Sequence, residues 1–149
     1  MKLQIISVGK IAGEQAAIVK HYQKMIGWQV QNTELAYSKK LSEKQIKQHE
    51  AKLIQDKIVK GAYVVVLDVL GKQISSEIFS DIFKSQMMCG RNVDFIIGGA
   101  FGLDASILSL ADMTLSLSKM TFPHQIAKLL LFEQIYRAQT ILDNHPYHK

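Results

Sequence analysis

Apolar runs and amphipathic segments alternate along this chain. The strongest run, Tyr-Val-Val-Val-Leu at 63–67, ends at Asp68 and predicts a strand buried on both faces, as in a parallel sheet. Other apolar runs predict four further strands, at 3–8, 28–35, 93–97 and 113–117. Apolar residues at helical spacing predict helices over 13–26, 42–60, 75–88, 104–110 and 123–142. This alternation predicts one α/β domain, residues 1–149, with a mostly parallel sheet and flanking helices.

Local signals mark the helix ends. Ser42-Glu43-Lys44-Gln45 has the form of a capping box, in which the serine and glutamine side chains satisfy free backbone amides. Asp104 is expected to cap the short fourth helix, and Pro123 to occupy the first turn of the last. The second helix follows a basic link at 38–40 and has an apolar side, which consists of Ile46, Leu53, Ile54 and Ile58. The opposite side, here called the lysine face, consists of Lys44, Lys47, Lys52, Lys57 and Lys60.

Composition narrows the choice of compartment and partner. Lysine and arginine exceed aspartate and glutamate by 18 to 13, a net charge of +5 that favours a polyanionic partner such as nucleic acid. Cys89 is the only cysteine, which excludes an intrachain disulfide and a cysteine-based metal site. The opening run at 3–8 is too short for a signal peptide, and no run approaches the ~20 apolar residues that span a membrane. We therefore expect a cytoplasmic protein.

Three predicted strand ends carry residues suited to a ligand. They are 67–71 with its Asp68, the glycine turn at 98–102 (Gly-Gly-Ala-Phe-Gly), and the polar loop at 117–122 (Leu-Ser-Lys-Met-Thr-Phe). Open α/β sheets bind ligands beyond the carboxyl ends of their strands, and glycines let backbone amides approach a ligand closely. A tight turn without a ligand explains the glycines equally well, because Gly-Gly-x-x-Gly is not the dinucleotide fingerprint and no Walker lysine follows.

Two other kinds of site are disfavoured by the spacing. Ser118 and His124, with Thr121 nearby, suggest a nucleophile and its base, but the Gly-x-Ser-x-Gly elbow of such hydrolases is missing. His145 and His148 suggest zinc, but a proline lies between them and no third ligand is near in sequence. The sequence therefore predicts neither a hydrolase nor a metal site.

The last helix combines an apolar circumference with one ionic pair. Glu133 and Arg137 are four residues apart, a spacing that an ordinary surface pair would also have. The apolar residues around them cover much of the helix and are Ile126, Leu129, Leu130, Phe132, Ile135 and Tyr136. Such a helix is expected to be buried on two sides, one against its own sheet and one against a partner chain.

The glycine turn, the stretch 117–125 and the ending His-Pro-Tyr-His-Lys at 145–149 closely resemble the ribosomal large-subunit pseudouridine methyltransferase H family of the SPOUT superfamily. The likeness spans nearly the whole chain. It implies a deep trefoil knot at the carboxyl end, against the general rule that protein chains are not threaded. It also implies a homodimer, S-adenosylmethionine held in the knot, and methylation of N3 of a pseudouridine in 23S ribosomal RNA of assembled ribosomes.

The resemblance also implies roles for individual residues. The cofactor site would consist of Leu67, Gly99, Leu117, Ser118, Lys119, Met120, Thr121 and Phe122. Glu133, Arg137 and His148 would belong to the catalytic centre. Tyr147, His148 and Lys149 would bind RNA, with the tyrosine stacking on a base while Lys149 and the lysine face meet phosphates.

Two positions depart from the family pattern. Ala100-Phe101 stand where members often have Pro-Glu, and Lys149 replaces a frequent arginine, which keeps the charge without the bidentate geometry. The sulfonium donor is already activated, so the enzyme chiefly aligns donor and ring nitrogen. His148 and Glu133 are candidate acceptors of the N3 proton, beside solvent and phosphate. A ribosome-binding protein of the same fold without catalytic activity is the alternative function.

Overall fold

Five strands alternate with five helices in the computed structural model, which describes residues 1–37 and 40–149. Ser38 and Lys39 of the predicted basic link lie outside the described residues. The elements agree with the predicted ones within two residues, except at the ends of the second helix and third strand. They are β1 (Lys2–Val8), α1 (Gly13–Met25), β2 (Gln29–Leu35), α2 (Glu43–Gln55), β3 (Tyr63–Lys72), α3 (Ser76–Met88), β4 (Val93–Ile97), α4 (Ala105–Leu108), β5 (Met113–Leu115) and α5 (His124–Leu142).

The strands form one parallel sheet in the order β2-β1-β4-β3-β5. β4 lies at its centre, and all five of its residues are buried, which explains an apolar run without alternation. Because the strands run in the same direction, their carboxyl ends meet along one edge. This edge brings together the end of β3, the glycine turn and the residues that follow β5.

Helices cover both faces of the sheet. α1, α3 and α5 pack on one face, where Phe83 and Ile135 meet Phe95 in the larger core cluster. α2 and α4 cover the other face, where Ile54 packs with Ile96. Consecutive residues of β4 supply both clusters, because side chains alternate between the two faces of a strand. The predicted α/β class with flanking helices is confirmed.

Side-chain caps fix the starts of three helices. Gln45 N donates to Ser42 Oγ at 3.3 Å and Ser42 N donates to Gln45 Oε1 at 3.0 Å, so the predicted capping box is present. Ser75 caps α3, and Asp104 caps α4 as predicted. Pro123 is the N-cap of α5, one residue before the predicted first turn.

The second helix ends at Gln55, not near residue 60 as predicted. The chain turns after it, and Val59 N donates to Oδ2 of the buried Asp94 at 2.7 Å, a hydrogen bond that a continued helix would replace. The expected helix was too long because this partner lies on β4, distant in sequence. Lys57 and Lys60 therefore lie beyond the helix that carries the rest of the lysine face.

The third strand runs further than its apolar pattern indicates. It continues through Gly71 to Lys72 with a break in register, and Lys72 pairs with Leu115 of β5. A Cβ on Gly71 would lie 2.7 Å from the Leu115 carbonyl carbon, so glycine is required for this approach. β5 ends at Leu115, and residues 116–117 belong to the next loop. These pairings do not establish the trefoil knot, which stays a prediction.

The last helix is largely enclosed by its own chain. α5 packs between α1 and α3 over the sheet, and each of its residues is buried or half-buried in the single chain. Leu131, Phe132, Ile135 and Ala138 are the apolar residues at its buried centre. Burial on two sides therefore does not require a partner chain, and the dimer stays a prediction. Within residues 1–37 and 40–149, no helix is long and apolar enough to cross a membrane.

Candidate active site

A cleft of about 640 Å³ opens at the carboxyl edge of the sheet. Three segments line it: residues 67–69 of β3, the glycine turn with its neighbours Ile97 and Leu103, and residues from 115 to 127. Its volume lies within the range of small-molecule sites in proteins. Its position beyond the strand ends is the position at which open α/β sheets bind ligands.

Seven of the eight residues that the resemblance assigns to a cofactor line this cleft. They are Leu67, Gly99, Leu117, Ser118, Met120, Thr121 and Phe122. Lys119, the eighth, is exposed and is not part of the lining. The fold thus brings together residues from three separate stretches of sequence, and what they bind remains a prediction.

Hydrogen bonds within the polar loop fix the shape of one cleft wall. Ser116 Oγ donates to the Ser118 carbonyl at 2.9 Å, and Met120 N donates to Ser118 Oγ at 3.0 Å. His124 pairs with Tyr37, with 2.9 Å between Nδ1 and the phenolic oxygen. Ser118 and His124 therefore each bind another group, and the described residues contain no hydrogen bond between them. The geometry gives no support to a hydrolase.

The described lining of the cleft contains few ionisable groups. Among residues 1–37 and 40–149 they are Asp68 and His124, although the chain has a net charge of +5. Asp68 Oδ1 accepts a hydrogen bond from Leu70 N at 2.8 Å, which holds the carboxylate where the register of β3 breaks. Because this part of the lining has a carboxylate and neither lysine nor arginine, it favours a neutral or cationic ligand. In residues 1–37 and 40–149, no three histidine, cysteine or acidic side chains group closely enough to hold a metal ion.

A buried glutamate packs behind the glycine turn. A Cβ on Gly99 would lie 3.0 Å from Glu50 Oε2 and 3.2 Å from Val8 Cγ1, so a side chain there points at α2 and β1. Packing behind the turn therefore already favours glycine, whether or not a ligand approaches. Sequence reasoning missed Glu50, although a signal was present. It is four residues from both Ile46 and Ile54, and so lies on the apolar side of the helix.

The carboxyl-terminal tail folds back onto α5. Arg137 Nη2 and Nε donate to Glu133 Oε1 at 2.6 and 3.0 Å, and Tyr147 Oη donates to the same oxygen at 3.1 Å. The Tyr147 ring also lies 4.8 Å from the Arg137 guanidinium carbon. His148 contacts Arg137 Nη1 through Nδ1 at 3.3 Å and Glu77 Oε1 through Nε2 at 2.9 Å. Glu133, Arg137, Tyr147 and His148 form one group, here called the C-terminal cluster, while Lys149 is exposed beside it.

Glu133 is the hydrogen-bonding centre of the C-terminal cluster. It accepts the two bonds from Arg137, one from Tyr147 and one from Gln134 Nε2 at 2.7 Å. The hydrogen bond to Glu133 raises the pKa of Arg137. Burial, followed by hydrogen bonds with Tyr22 and Glu133, raises the pKa of Tyr147, so its phenol stays protonated at neutral pH. A carboxylate that accepts four hydrogen bonds is suited to holding its neighbours in place.

The C-terminal cluster and the cleft are separate in the single chain. None of the cluster residues lines the cleft. A smaller cavity of about 260 Å³ is lined by Leu117, which also lines the cleft, and by Gln134, which donates to Glu133. The helical part of the lysine face lies on α2, across the sheet from the tail. The residues predicted to contact RNA therefore lie on both sides of the sheet.

A second ionic pair, which sequence reasoning missed, anchors α5 beside the cleft. Lys128 is fully buried, and its Nζ donates to Glu34 Oε1 at 2.7 Å and to Ser7 Oγ at 2.9 Å. Burial lowers the pKa of Lys128, and Glu34 offsets only part of this effect. Burial alone would raise the pKa of Glu34, but the hydrogen bond and charge of Lys128 hold it below its usual value. The pair ties the ends of β1 and β2 to the start of α5.

The parallel sheet, the cleft beyond its strand ends and the helix that follows the polar loop define an α/β protein with a cleft of small-ligand size at one sheet edge. The family model described as predicted SPOUT methyltransferase matches residues 1–148. The chain therefore belongs to the SPOUT methyltransferase family.

Proteins named ribosomal RNA large subunit methyltransferase H are similar to the whole chain. The protein of Acholeplasma laidlawii is 40% identical over 151 residues, and that of Clostridium botulinum strain Hall is 40% identical over 159, with all of both chains covered in each case. The protein of Ruminiclostridium cellulolyticum is 47% identical over 108 residues, which cover 72% of this chain and 68% of the relative.

Solved structures of methylases share the fold. A methylase-family protein of Haemophilus influenzae has a TM-score of 0.55 and 13% identity, covering 99% of this chain and 70% of that one. A methyltransferase of Legionella pneumophila, solved with bound S-adenosylmethionine, has a TM-score of 0.53 and 12% identity, covering 93% and 66%. At these identities the likeness shows the fold alone.

Proposed function

We propose that this protein uses S-adenosylmethionine to methylate N3 of a pseudouridine in 23S ribosomal RNA of assembled ribosomes. The observation that carries the proposal is the convergence of seven predicted cofactor residues on one cleft at the strand ends. Membership of the methyltransferase family and the names of the full-length relatives support methyl transfer to large-subunit ribosomal RNA. A ribosomal substrate also agrees with the net charge of +5 and with the predicted cytoplasmic location.

The cleft suits this cofactor in size and in charge. Leu67, Leu117 and Phe122 offer apolar surface for the adenosyl group. S-adenosylmethionine has a single net positive charge at neutral pH because of its sulfonium. Among the described residues, the lining offers Asp68 and neither lysine nor arginine. When bound, the cofactor supplies a methyl group that is already activated for displacement. The protein must then place that group in line with the target nitrogen.

The C-terminal cluster is proposed to orient the target base. Glu133, through its four hydrogen bonds, holds Arg137 and Tyr147 in a fixed arrangement. Tyr147 would stack on an exposed base, while His148 and Lys149 would contact the RNA. Both candidate acceptors of the N3 proton are engaged in the single chain. Glu133 accepts four hydrogen bonds, and His148 contacts Arg137 Nη1 through Nδ1 and Glu77 Oε1 through Nε2. Either group must exchange one of these contacts before it can accept the proton.

A second copy of the chain is proposed to complete the site. The C-terminal cluster does not line the cleft of its own chain, so it cannot act there without a partner or a rearrangement. Large apolar side chains are exposed in or next to the segments that line the cleft, and they are Val69, Leu70, Phe101 and Met120. Leu70 is 92% exposed and Met120 74%. Exposed apolar groups of this kind mark protein interfaces, and a homodimer would cover them.

Methyl transfer to ribosomes tests the proposed function. Ribosomes from cells that lack the modification are incubated with the protein and labelled S-adenosylmethionine, and the nucleosides of 23S ribosomal RNA are analysed by mass spectrometry. We expect label on N3 of a pseudouridine. Label on another nucleotide would contradict the substrate assignment. Ribosome binding without transfer would favour the non-catalytic alternative, and a monomer in light scattering at micromolar concentration would contradict the dimer.

A pair of arginine variants separates the C-terminal cluster from general stability. Arg137→Lys keeps the charge but removes the fork on Glu133, and we expect transfer to fall by roughly 10- to 100-fold. Arg91→Lys is the matched control. Arg91 also pairs with a carboxylate, Asp112 at 3.3 Å, and lies 5.3 Å from the centre of a tyrosine ring. It precedes β4 and so lies at the edge of the sheet opposite the cleft. Equal losses in the two variants would show that the cluster has no special role.

A further inference from the structure

Glu50 is a buried carboxyl group placed directly behind the glycine turn. Its oxygens lie 3.0 and 3.2 Å from the point at which Gly99 would carry a Cβ, and the residue is only 4% exposed. Within residues 1–37 and 40–149, this carboxyl has no hydrogen-bond donor and no salt bridge. Burial disfavours the charged form of a carboxyl group, so such a group favours its protonated form.

The groups that face Glu50 do little to stabilise a negative charge. Val8 Cγ1 of β1 lies 3.2 Å from the same Cβ position on Gly99 and offers only hydrocarbon. Tyr37, on the segment after β2, is an ionisable neighbour, and burial together with the charge of Glu50 raises the pKa of Tyr37. On α2 itself, His49 is next to Glu50 in sequence. Burial raises the pKa of Glu50, and the charge of His49 offsets only part of that effect.

The glycine turn connects this carboxyl group to the cleft. Gly99 belongs to the cleft lining and also contacts Glu50. On the cleft side the ionisable groups are Asp68 and His124. α4, which packs against α2, begins after its N-cap Asp104, which the charge of Lys47 affects. Within residues 1–37 and 40–149, the cleft lining contains neither lysine nor arginine. A charge on a ligand would therefore act on Glu50 through the glycine turn, where electrostatic effects are stronger than in water.

We propose that Glu50 responds to the positive charge of the methyl donor, holding a proton when the cleft contains no cation and releasing it to solvent when S-adenosylmethionine binds. This inference rests on the proposed function, since it takes that donor as the ligand. The product S-adenosylhomocysteine has a neutral thioether in place of the sulfonium and keeps the other charged groups. Because the carboxylate forms only when the donor is bound, it raises the affinity for the donor relative to the product. It therefore promotes replacement of the product by a new donor after each reaction. Glu50 touches no reacting atom, so its role is in specificity.

Calorimetry of the full chain tests the proposal. S-adenosylmethionine and S-adenosylhomocysteine are each titrated in two buffers of different ionisation enthalpy, from about pH 5 to about pH 8, so that protons released on binding are counted. We expect proton release with the donor and less with the product. We also expect donor affinity to rise with pH by up to about tenfold per unit where Glu50 titrates. Equal proton release with both ligands would overturn the proposal, whatever the affinities.

Two variants assign the proton to its residue. Glu50→Gln should remove the extra proton release, flatten the pH dependence of donor affinity and reduce the preference for donor over product by about tenfold. Glu43→Gln, an exposed position on the same helix, should leave all three unchanged. Proton release that persists in Glu50→Gln would assign it to another group, such as His124, and overturn the proposal. If that variant fails to fold, the comparison of ligands with the natural chain still decides. No donor binding at all would instead contradict the proposed function.

Discussion

The two residues of the buried Lys128–Glu34 pair differ in burial, so their removal should lower the free energy of unfolding by different amounts. The Lys128 side chain is 0% exposed, whereas the Glu34 side chain is 22% exposed and also accepts a hydrogen bond from Ile11 N at 3.3 Å. Glu34→Ala therefore strands an ammonium in the interior with Ser7 Oγ as its remaining acceptor. Lys128→Met leaves a carboxylate that still reaches water and one backbone amide. The glutamate variant should be the less stable of the two.

The expected losses can be stated from the cost of breaking buried ion pairs. Glu34→Ala should lower the free energy of unfolding by about 3–5 kcal/mol, because it leaves a buried charge unpaired. Lys128→Met should cost less, about 1–3 kcal/mol, since Glu34 is partly hydrated. At roughly 2–4 °C per kcal/mol for a chain of this length, the two variants should differ clearly in melting temperature. Lys128→Met combined with Glu34→Gln should recover part of the loss, because no unpaired charge remains.

These differences in the free energy of unfolding can be measured by urea unfolding, followed by the fluorescence of Trp28. The Trp28 ring packs against Phe83, with 4.9 Å between the ring centroids. The pH dependence provides a further check. The pKa of Glu34 is lowered in the folded protein, so its stabilisation is present above the unfolded pKa and disappears as the pH falls through the folded value. The difference between the natural chain and Glu34→Ala should therefore shrink in acid. A larger loss in Lys128→Met than in Glu34→Ala would refute the reasoning.

Four further predictions concern the caps, the tail and the glycine turn. Ser42→Ala removes the capping box of α2 and should cost about 1 kcal/mol in urea unfolding, without changing calorimetric affinity for S-adenosylmethionine. Tyr147→Phe keeps the ring contacts and loses the bond to Glu133; stability should fall by about 1 kcal/mol, while methylation of ribosomes falls far more than cofactor affinity. Gly99→Ala should be tolerated, because the flexible Glu50 carboxyl can shift, whereas Gly99→Val should lower the free energy of unfolding by about 1–3 kcal/mol and weaken cofactor binding. Equal cofactor affinities in the two variants would contradict this view of the turn. The pKa of Glu50 is raised in the folded protein, so its favourable contribution to stability is present below the unfolded pKa and is lost as the pH rises through the folded value. Between acid and neutral pH, Glu50→Gln should therefore gain stability relative to the natural chain.

Local patterns predicted the elements well because they depend on neighbours in sequence. The capping box at Ser42 and the uninterrupted apolar run at 63–67 each describe a few consecutive residues, and both correspond to the observed helix start and buried strand. The early end of α2 and the extension of β3 to Lys72 depend on Asp94 and Leu115, which lie on other strands. Strand order is non-local in the same way, and nothing in the periodicity specified it.

Part of the candidate site was likewise predictable from the sequence, and part was not. The cleft lining was predictable because the polar loop and glycine turn follow strands whose carboxyl ends must share one edge. Lys119 shows the limit of that argument, since it is exposed outside a cleft that the other residues of the same loop line. Glu50 and Lys128 were missed because charged residues on helices were taken as exposed. Each stands at helical spacing from buried apolar residues, and that spacing is the signal by which they can be found.

The position of α5 over the sheet affects how the protein folds. β4 pairs with β1, with Leu3 opposite Val93, and the layer over both is completed by Leu131 and Ile135 of α5. The core therefore depends on contacts between segments that are distant in sequence, and such contacts form slowly. Until α5 packs, the most apolar strands of the sheet lack their cover, and a folding intermediate at that stage exposes surface that is prone to aggregation.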